Sequence, residues 1–477
     1  MSVPHVRYVC LSDTHFGEED SLLTCLRSDA YRCDPRHASP TLTHLVEALR
    51  HLLAGQEGAP KPTLLLNGDI LELAFASYSQ SLATFERFME LVVSPGRELF
   101  DKVVYLPGNH DHHVWEIARE TQYVSQVLRN HHYDDGPPPP IHATPLALDG
   151  HPPLVSFLLD PLMRHVRGVD DPTAYLDYPV FIAYPNLGLF HPTRDRCVVL
   201  HHGHFLESLY FAMSALRRKL FPEDPPVQTV AQAESENWAW IDFVWSLLGR
   251  SGDAGMRAEV LYKRLQYPMN LRSFIAELAK RIAQGSDLPL IPGDWMEEKI
   301  LHLIFSRAAE RLGGERCRPG DSDESDVRQG LDRYLFELTY RQLAEEHGEV
   351  PSEVAFVFGH THKPFERLVE DPRGVPVEVY NTGGWAVDNA DRLAARGASV
   401  VLISDDLQVV SLRVYHDGSD EPAVQIGAVG PGAEPFRARV AAFVQQDQGP
   451  WQQLAATITS EAAARRRHLR RLFGQAS

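Results

Sequence analysis

Val6-Arg7-Tyr8-Val9-Cys10-Leu11 runs without a break into Ser12-Asp13-Thr14-His15. A short β-branched and leucine-rich run that halts at a polar cluster is the pattern of a buried strand ending in a loop. It recurs at residues 63–66, which lead into Asn67-Gly68-Asp69, and at 103–106, which lead into Pro107-Gly108-Asn109-His110-Asp111. Between these runs, residues 41–53 place Leu45, Leu49 and Leu52 at helical spacing, and residues 82–93 also read as helix. Strand alternating with helix predicts an α/β sheet covered on both faces. Polar clusters just past strand ends are where such sheets gather ligands.

Further along, Pro140, Pro152 and Pro153 mark a loop, and strand-like runs return at 180–184 and 197–200, the second ending in His201-His202-Gly203-His204. From residue 205 to about 347 the pattern is almost continuously helical. Residues 354–358 resume the strand pattern and end in Gly359-His360-Thr361-His362, and 377–380, 399–403 and 408–414 complete a second set of strands. The expected organisation is a core made of residues 1–204 and 350–416, a helical insertion or lid at 205–349, and a linker with a helical C-terminal tail at 417–477. No repeat of fixed period occurs, which argues against a solenoid.

Of 477 residues, 44% are hydrophobic and 23% charged, as in folded proteins generally. Lys and Arg total 46 against 64 for Asp and Glu, and the resulting charge of −18 disfavours a protein that grips nucleic acid by broad phosphate neutralisation. Cysteines at 10, 25, 33, 197 and 317 are odd in number and lack Cys-x-x-Cys spacing, which fits a reducing compartment. Residues 1–7 contain no continuous apolar signal segment, and no apolar stretch reaches the roughly 18 residues of a spanning helix. The expectation is a soluble, cytoplasmic protein.

Five strand ends present Asp13 with His15, Asp69, Asn109 with His110 and Asp111, His202 with His204, and His360 with His362. All are metal-ligating or proton-transferring types, and no thiolate joins them. Nitrogen mixed with oxygen suits divalent Mn, Fe, Zn or Co. A carboxylate can join two ions whereas a neutral imidazole binds one, so Asp69 is the natural bridge of a dinuclear centre. Two ions about 3.5–4 Å apart clamp the attacking and leaving oxygens of an in-line displacement. That is the demand of phosphoester hydrolysis.

Asp13-x-His15, Gly68-Asp69-x-x-Glu72, Gly108-Asn109-His110-Asp111, His202-Gly203-His204 and Gly359-His360-Thr361-His362 resemble, in order and strand context, the calcineurin-like metallophosphoesterase superfamily. The resemblance implies a two-sheet β-sandwich core flanked by helices. It implies that Asp13, His15, Asp69 and His362 hold one metal and that Asp69, Asn109, His202 and His360 hold the second, with Mn favoured. His110 would act as general acid toward the leaving oxygen or stabilise the transition state, with Asp111 orienting its ring. The reaction implied is hydrolysis of a phosphodiester, phosphomonoester or pyrophosphate by a metal-bridging hydroxide. A large lid favours the diester or pyrophosphate, in which groups beyond the phosphate are recognised. A nuclease of the same superfamily, or a non-catalytic scaffold with this fold, are the alternatives. The Gly-Asp-x-x-Asp-Arg-Gly and Gly-Asn-His-Glu motifs of protein Ser/Thr phosphatases are absent. An insertion after the His202 motif is distantly similar to the UDP-2,3-diacylglucosamine hydrolase type, although that type carries His-Gly-Asp where this chain has His204.

Leu206, Leu209, Tyr210, Met213, Leu216 and Leu220 fall on one helical face directly after His202, so the insertion should overhang the site. Residues 237–248 carry Trp238, Trp240 and Trp245 and are apolar on all sides. The plainer reading is the core of a helical subdomain; the sharper one is an acyl-binding groove or membrane-facing patch. Near the C-terminus, Arg465, Arg466, Arg467, Arg470 and Arg471 interleave with Leu469, Leu472 and Phe473. They read either as a frayed terminus or as a basic amphipathic helix that contacts anionic lipid. The expected partner is thus a phosphate ester, nucleotide- or lipid-linked, with peripheral membrane contact through the insertion or the tail.

Overall fold

The computed structural model describes residues 5–56, 58–130, 140–148, 150–247, 324–418, 424–430 and 432–472. Residues 248–323, more than half of the expected insertion, lie outside the described residues, as do Cys317 and Phe473. Strands β1 (Val6–Leu11), β2 (Thr63–Asn67), β3 (Lys102–Leu106) and β5 (Val180–Ile182) run parallel, with Val9 paired to Leu64 and Leu64 to Val103. The short β4 (Leu154–Val155) closes one edge, and β11 (Gly397–Ser404), β12 (Val409–His416) and β13 (Gln425–Gly427) extend the other antiparallel to an eight-stranded sheet. The second sheet has five strands in the order β6 (Asn186–Phe190), β7 (Arg196–His201), β8 (Glu353–Phe358), β10 (Pro376–Asn381) and β9 (Phe365–Glu370).

Side-chain alternation shows how the sheets stack. Cys10, Leu65 and Val104 of the first sheet share one apolar cluster with Val198, Leu200, Ala355 and Val357 of the second. Their neighbours Val9, Leu64 and Val103 turn instead to a helical layer, and Val199, Val354 and Phe356 turn to another. The architecture is therefore helix, sheet, sheet, helix: an α/β fold with a two-sheet sandwich core. Over the first sheet lie α1 (Pro40–Ala54), α2 (Tyr78–Val93), α3 (His112–Asn130) and α4 (Asp160–Arg167). Ser39 and Ser77 start α1 and α2 by accepting the backbone N–H of Leu42 and Gln80, with Pro40 pre-set for the first turn.

Over the second sheet lie the described parts of the insertion: α5 (Ala212–Leu220), α6 (Val230–Ile241) continuing into a wide turn Asp242–Leu247, then α7 (Glu324–Leu331) and, after Asp332–Thr339, α8 (Tyr340–His347). The single helical face expected from Leu206 to Leu220 is not continuous. Two tight turns, His204–Leu206 and Ser208–Phe211, precede α5, so Leu206 and Tyr210 are buried while Met213, Leu216 and Leu220 face outward. Trp245 is buried, Trp240 packs partly buried against the second-sheet core, Trp238 is partly buried under Arg119, and Phe243 is exposed, so Trp240 and Trp245 help build a core.

The C-terminal region departs most from expectation. Residues expected as linker supply β13, and α9 (Glu434–Gln446) and α10 (Gln448–Leu472) place Phe436, Val440, Trp451, Leu454, Ile458 and Leu469 in the same core as α1. Arg465 is fully buried and donates to the carbonyls of Glu19, Ser21 and Thr24; Arg466 is buried against Asp417. Neither arginine is placed to meet a membrane. No described helix is long and apolar enough to cross one.

Candidate metal centre

The parallel strands β1, β2, β3, β7 and β8 end on the same side, and the residues after them converge. Backbone bonds tie the loops together: Asp13 N–H to the Gly68 carbonyl at 2.9 Å, His15 N–H to the Asp69 carbonyl at 3.0 Å, and Gly359 N–H to the His202 carbonyl at 2.7 Å. Asp13, His15, Asp69, His360 and His362 have φ of 49°, 44°, 49°, 70° and 56°, five of the six positive values at described non-glycine residues. Such backbone is costly and persists where the surroundings over-determine it, which is typical of functional loops. The glycines between them allow close approach. A Cβ on Gly359 would collide with Asp13 Oδ2, and one on Gly108 with Asp69 Oδ1.

Two buried groups of donor atoms result, Asp13 with His15 and His362, and Asp69 with His202 and His360, each with its atoms within 4.8 Å of one another. His15 Nε2 stands 3.2 Å from His362 Nε2, and His362 Nε2 stands 3.5 Å from Asp13 Oδ1. His202 Nε2 stands 3.1 Å from Asn109 Oδ1. Asp69 Oδ2 lies 3.2 Å from His202 Nε2 and 3.9 Å from His15 Nε2, and so faces both groups. Burial works to raise the pKa of Asp69, but the charges of His202 and His110 outweigh it and hold the carboxyl well below its usual range. At His202 burial disfavours the imidazolium, yet Asp69 outweighs it and pushes the pKa up to about 9. A position that draws positive charge this strongly, lined by imidazole nitrogens and carboxylate oxygens, fits divalent cations.

At His15, His362 and His202 the other ring nitrogen is anchored, as metal-binding histidines require. His15 Nδ1 meets Glu72 Oε2 at 2.8 Å, His362 Nδ1 meets Asp388 Oδ2 at 2.7 Å, and His202 Nδ1 meets the Asn67 carbonyl at 3.3 Å. His110 N–H donates to Asp69 Oδ1 at 2.8 Å, while its Nδ1 meets Glu72 Oε1 at 3.0 Å. The expected pairing of Asp111 with the His110 ring is replaced by this one. Asp111 turns away, accepting the N–H of Gly108, Ile70 and Leu71 and the Tyr105 hydroxyl, the last at 2.6 Å. It fastens the turn after β3 to the turn after β2. Adjacency in sequence suggested the wrong carboxylate; Glu72, visible in the Gly68-Asp69-x-x-Glu72 motif, is the one that orients both His110 and His15.

Sequence reasoning also missed Asp388, for which no local pattern existed, and Glu207 of the insertion, although the insertion was expected to overhang the site. Glu207 Oε1 lies 3.4 Å from His360 Nε2, the Tyr210 ring 5.3 Å from that of His360, and the Trp245 ring 5.9 Å from that of His110. His204 stays out of both groups, its ring 5.6 Å from that of His202 and stacked toward Tyr184. Trp385, after Asn381-Thr382-Gly383-Gly384, is a packed core residue whose N–H donates to the Asp13 carbonyl. A model of the calcineurin-like phosphoesterase family matches residues 6–230, a span that takes in the loops after β1, β2, β3 and β7 and stops before β8. No curated protein matches the chain.

Proposed function

We propose, from the match of residues 6–230 to the calcineurin-like phosphoesterase family, that the chain hydrolyses a phosphodiester or pyrophosphate at a dinuclear metal centre. The observation that carries the reading is Asp69, whose Oδ2 faces both buried donor groups at 3.2 and 3.9 Å. Asp13, His15, Asp69 and His362 would hold one ion and Asp69, Asn109, His202 and His360 the other, Mn being the favoured metal. Bound ions would supply a water of lowered pKa and hold the phosphoryl oxygens. His110 is then the group left to serve the leaving oxygen. With Glu72 accepting from Nδ1–H, Nε2 is the atom that carries the transferable proton. Burial works to raise the pKa of Glu72, but His110 and His15 outweigh it and keep it ionised, so it holds the ring without taking its proton. Phe75 and Trp245, with rings 5.3 and 5.9 Å from that of His110, keep water from that side.

The test is turnover of bis-p-nitrophenyl phosphate, p-nitrophenyl phosphate and a UDP-linked acylated sugar by metal-stripped protein reloaded with Mn, for wild type and Asp69→Asn. Metal-dependent cleavage that the variant loses supports the reading and ranks the ester class. Two tightly held Mn equivalents and normal turnover in Asp69→Asn would sink the bridging role.

One exposed surface favours a lipid-linked ester. Met213, Leu216 and Leu220 are 40, 46 and 63% exposed on α5 and Phe221 just after it is 58% exposed, with Arg218 and Lys219 also exposed, the patch beginning three residues past the Tyr210 that flanks the centre. Apolar side chains bordered by cations suit an anionic lipid surface. Co-sedimentation with phosphatidylcholine vesicles should require phosphatidylglycerol and be lost in Leu216→Ser/Leu220→Ser; wild type that never sediments would remove the lipid and leave the hydrolase.

A further inference from the structure

A second buried charge cluster joins the insertion to the turn that carries Asn109 and His110. His112, the first residue of α3, is fully buried between two carboxylates of the insertion. Its Nε2 meets Glu234 Oε1 of α6 at 2.8 Å, and its Nδ1 meets Asp242 Oδ1 of the following turn at 3.3 Å. Asp242 also takes His113 Nδ1 at 3.2 Å, and Glu234 takes the Tyr184 hydroxyl at 2.9 Å. A ring whose two nitrogens both face carboxylates donates from both, which makes it an imidazolium. Burial disfavours that charge, but Glu234 and Asp242 outweigh it and push the pKa up to about 10.

The same part of the insertion reaches the turn at two further points. Ser246 donates its hydroxyl to the Asn109 carbonyl at 2.8 Å, and the buried Trp245 ring lies against His110. Contacts from residues 234–246 thus fall on Asn109, His110 and His112, while the core holds the same turn from the other side through Asp69, Glu72 and Tyr105. Neither set alone encloses it.

We propose that Glu234 and Asp242 are positioning residues of the metal centre: by gripping His112 from both sides they seat the Asn109–His110 turn against Asp69, which makes the insertion a working part of the site. The inference rests on the dinuclear phosphoesterase reading. An insertion that merely covered the site would need no ionic hold on the turn that supplies a ligand and the acid. A displacement of about 1 Å at such a group costs on the order of 10²-fold in rate.

The test uses full-length protein, metal-stripped and titrated with Mn, with Mn binding, EPR of the loaded centre and steady-state turnover of the ester preferred by wild type. The variants are Glu234→Gln, Asp242→Asn, the milder Ser246→Ala, and Asp242→Glu as the conservative replacement. Glu236→Gln, whose ion pair among the described residues is with Arg217 at 3.1 Å, is the control. Expected are a kcat lowered about 10–100-fold with KM changed little, a weaker second Mn equivalent with an altered EPR spectrum, partial rescue in Asp242→Glu, and a control like wild type. Folded Glu234→Gln, Asp242→Asn and Ser246→Ala with wild-type kcat and Mn binding would overturn the proposal. So would a third Mn equivalent lost in Glu234→Gln, which would make His112, Glu116 and Glu234 an ion site. Wild type that binds two Mn ions without cleaving any ester would instead defeat the phosphoesterase reading, and the Mn and EPR readouts would still judge the positioning role.

Discussion

Glu72 shows how one carboxylate can govern two imidazoles. Its oxygens meet His15 and His110, and Oε1 also accepts the backbone N–H of Ala74 and Phe75 at 2.9 Å, so it is fixed before it orients either ring. Glu72→Gln keeps the shape but puts an amide donor where one ring must donate. Steady-state kinetics of the Mn-loaded variant should show kcat lower by about 10–100-fold, with weaker Mn binding on the His15 side. Asp111→Asn should behave differently, because Asp111 serves only backbone amides and Tyr105: urea unfolding should show lost stability that exceeds any loss of kcat. If Asp111→Asn lost rate and Glu72→Gln did not, the His110 assignment would revert to the neighbour in sequence. The candidate ligands were legible because each stands within a few residues of a recognisable strand, and strand ends in a parallel sheet must gather. Side-chain direction was not legible. The turn after β3 sends His110 toward the centre and Asp111 back under the chain, a matter of local dihedrals that residue types do not encode.

Helix α10 carries the same lesson at the scale of an element. Alternation of arginine with leucine revealed an amphipathic helix, and composition then suggested a solvated or lipid-facing one. Its partner lies more than 400 positions away, in the loop after β1, where Arg465 satisfies three carbonyls and pairs with Glu461 on its own helix. A buried guanidinium with every donor engaged reads in sequence like an exposed one. Arg465→Ala would leave those carbonyls buried without a donor. The expected cost is on the order of 3 kcal/mol, read as a lower urea midpoint. The exposed Arg467→Ala should stay within about 0.5 kcal/mol of wild type. Since the loop that Arg465 fastens leads directly from Asp13 and His15, its loss should also weaken Mn binding. Equal midpoints for the two variants would return the tail to the surface.

For the molecule as a whole, the sandwich positions the centre and the outer helical layers decide how firmly it is held. The strands of both sheets were largely legible from short apolar runs, whereas β4, β6, β9 and β13 were missed because they are edge strands with short or weak patterns. The contact between the insertion and α3 was not legible, since it joins residues more than 100 positions apart through charges. Those charges give the assembled chain a pH dependence of predictable sign. Glu234 and Asp242 face the His112 ring directly, Tyr184 donates to the other Glu234 oxygen, His113 Nδ1 reaches both oxygens of Asp242, and Glu116 with Arg119 forms a pair at 2.7 Å nearby on α3. In the unfolded chain His112 titrates near its ordinary value of about 6.5; in the folded protein its pKa is raised to about 10. The stabilisation from its charge is therefore complete below about pH 6.5 and is lost progressively as the pH rises toward 10. Other groups titrate in that window, so the informative quantity is the difference in unfolding free energy between metal-free wild type and His112→Gln, measured in urea across it. The difference should be largest at the acidic end and shrink steadily toward the alkaline end. A difference that stays constant would mean a neutral ring, and the insertion would then be held to the core by packing alone.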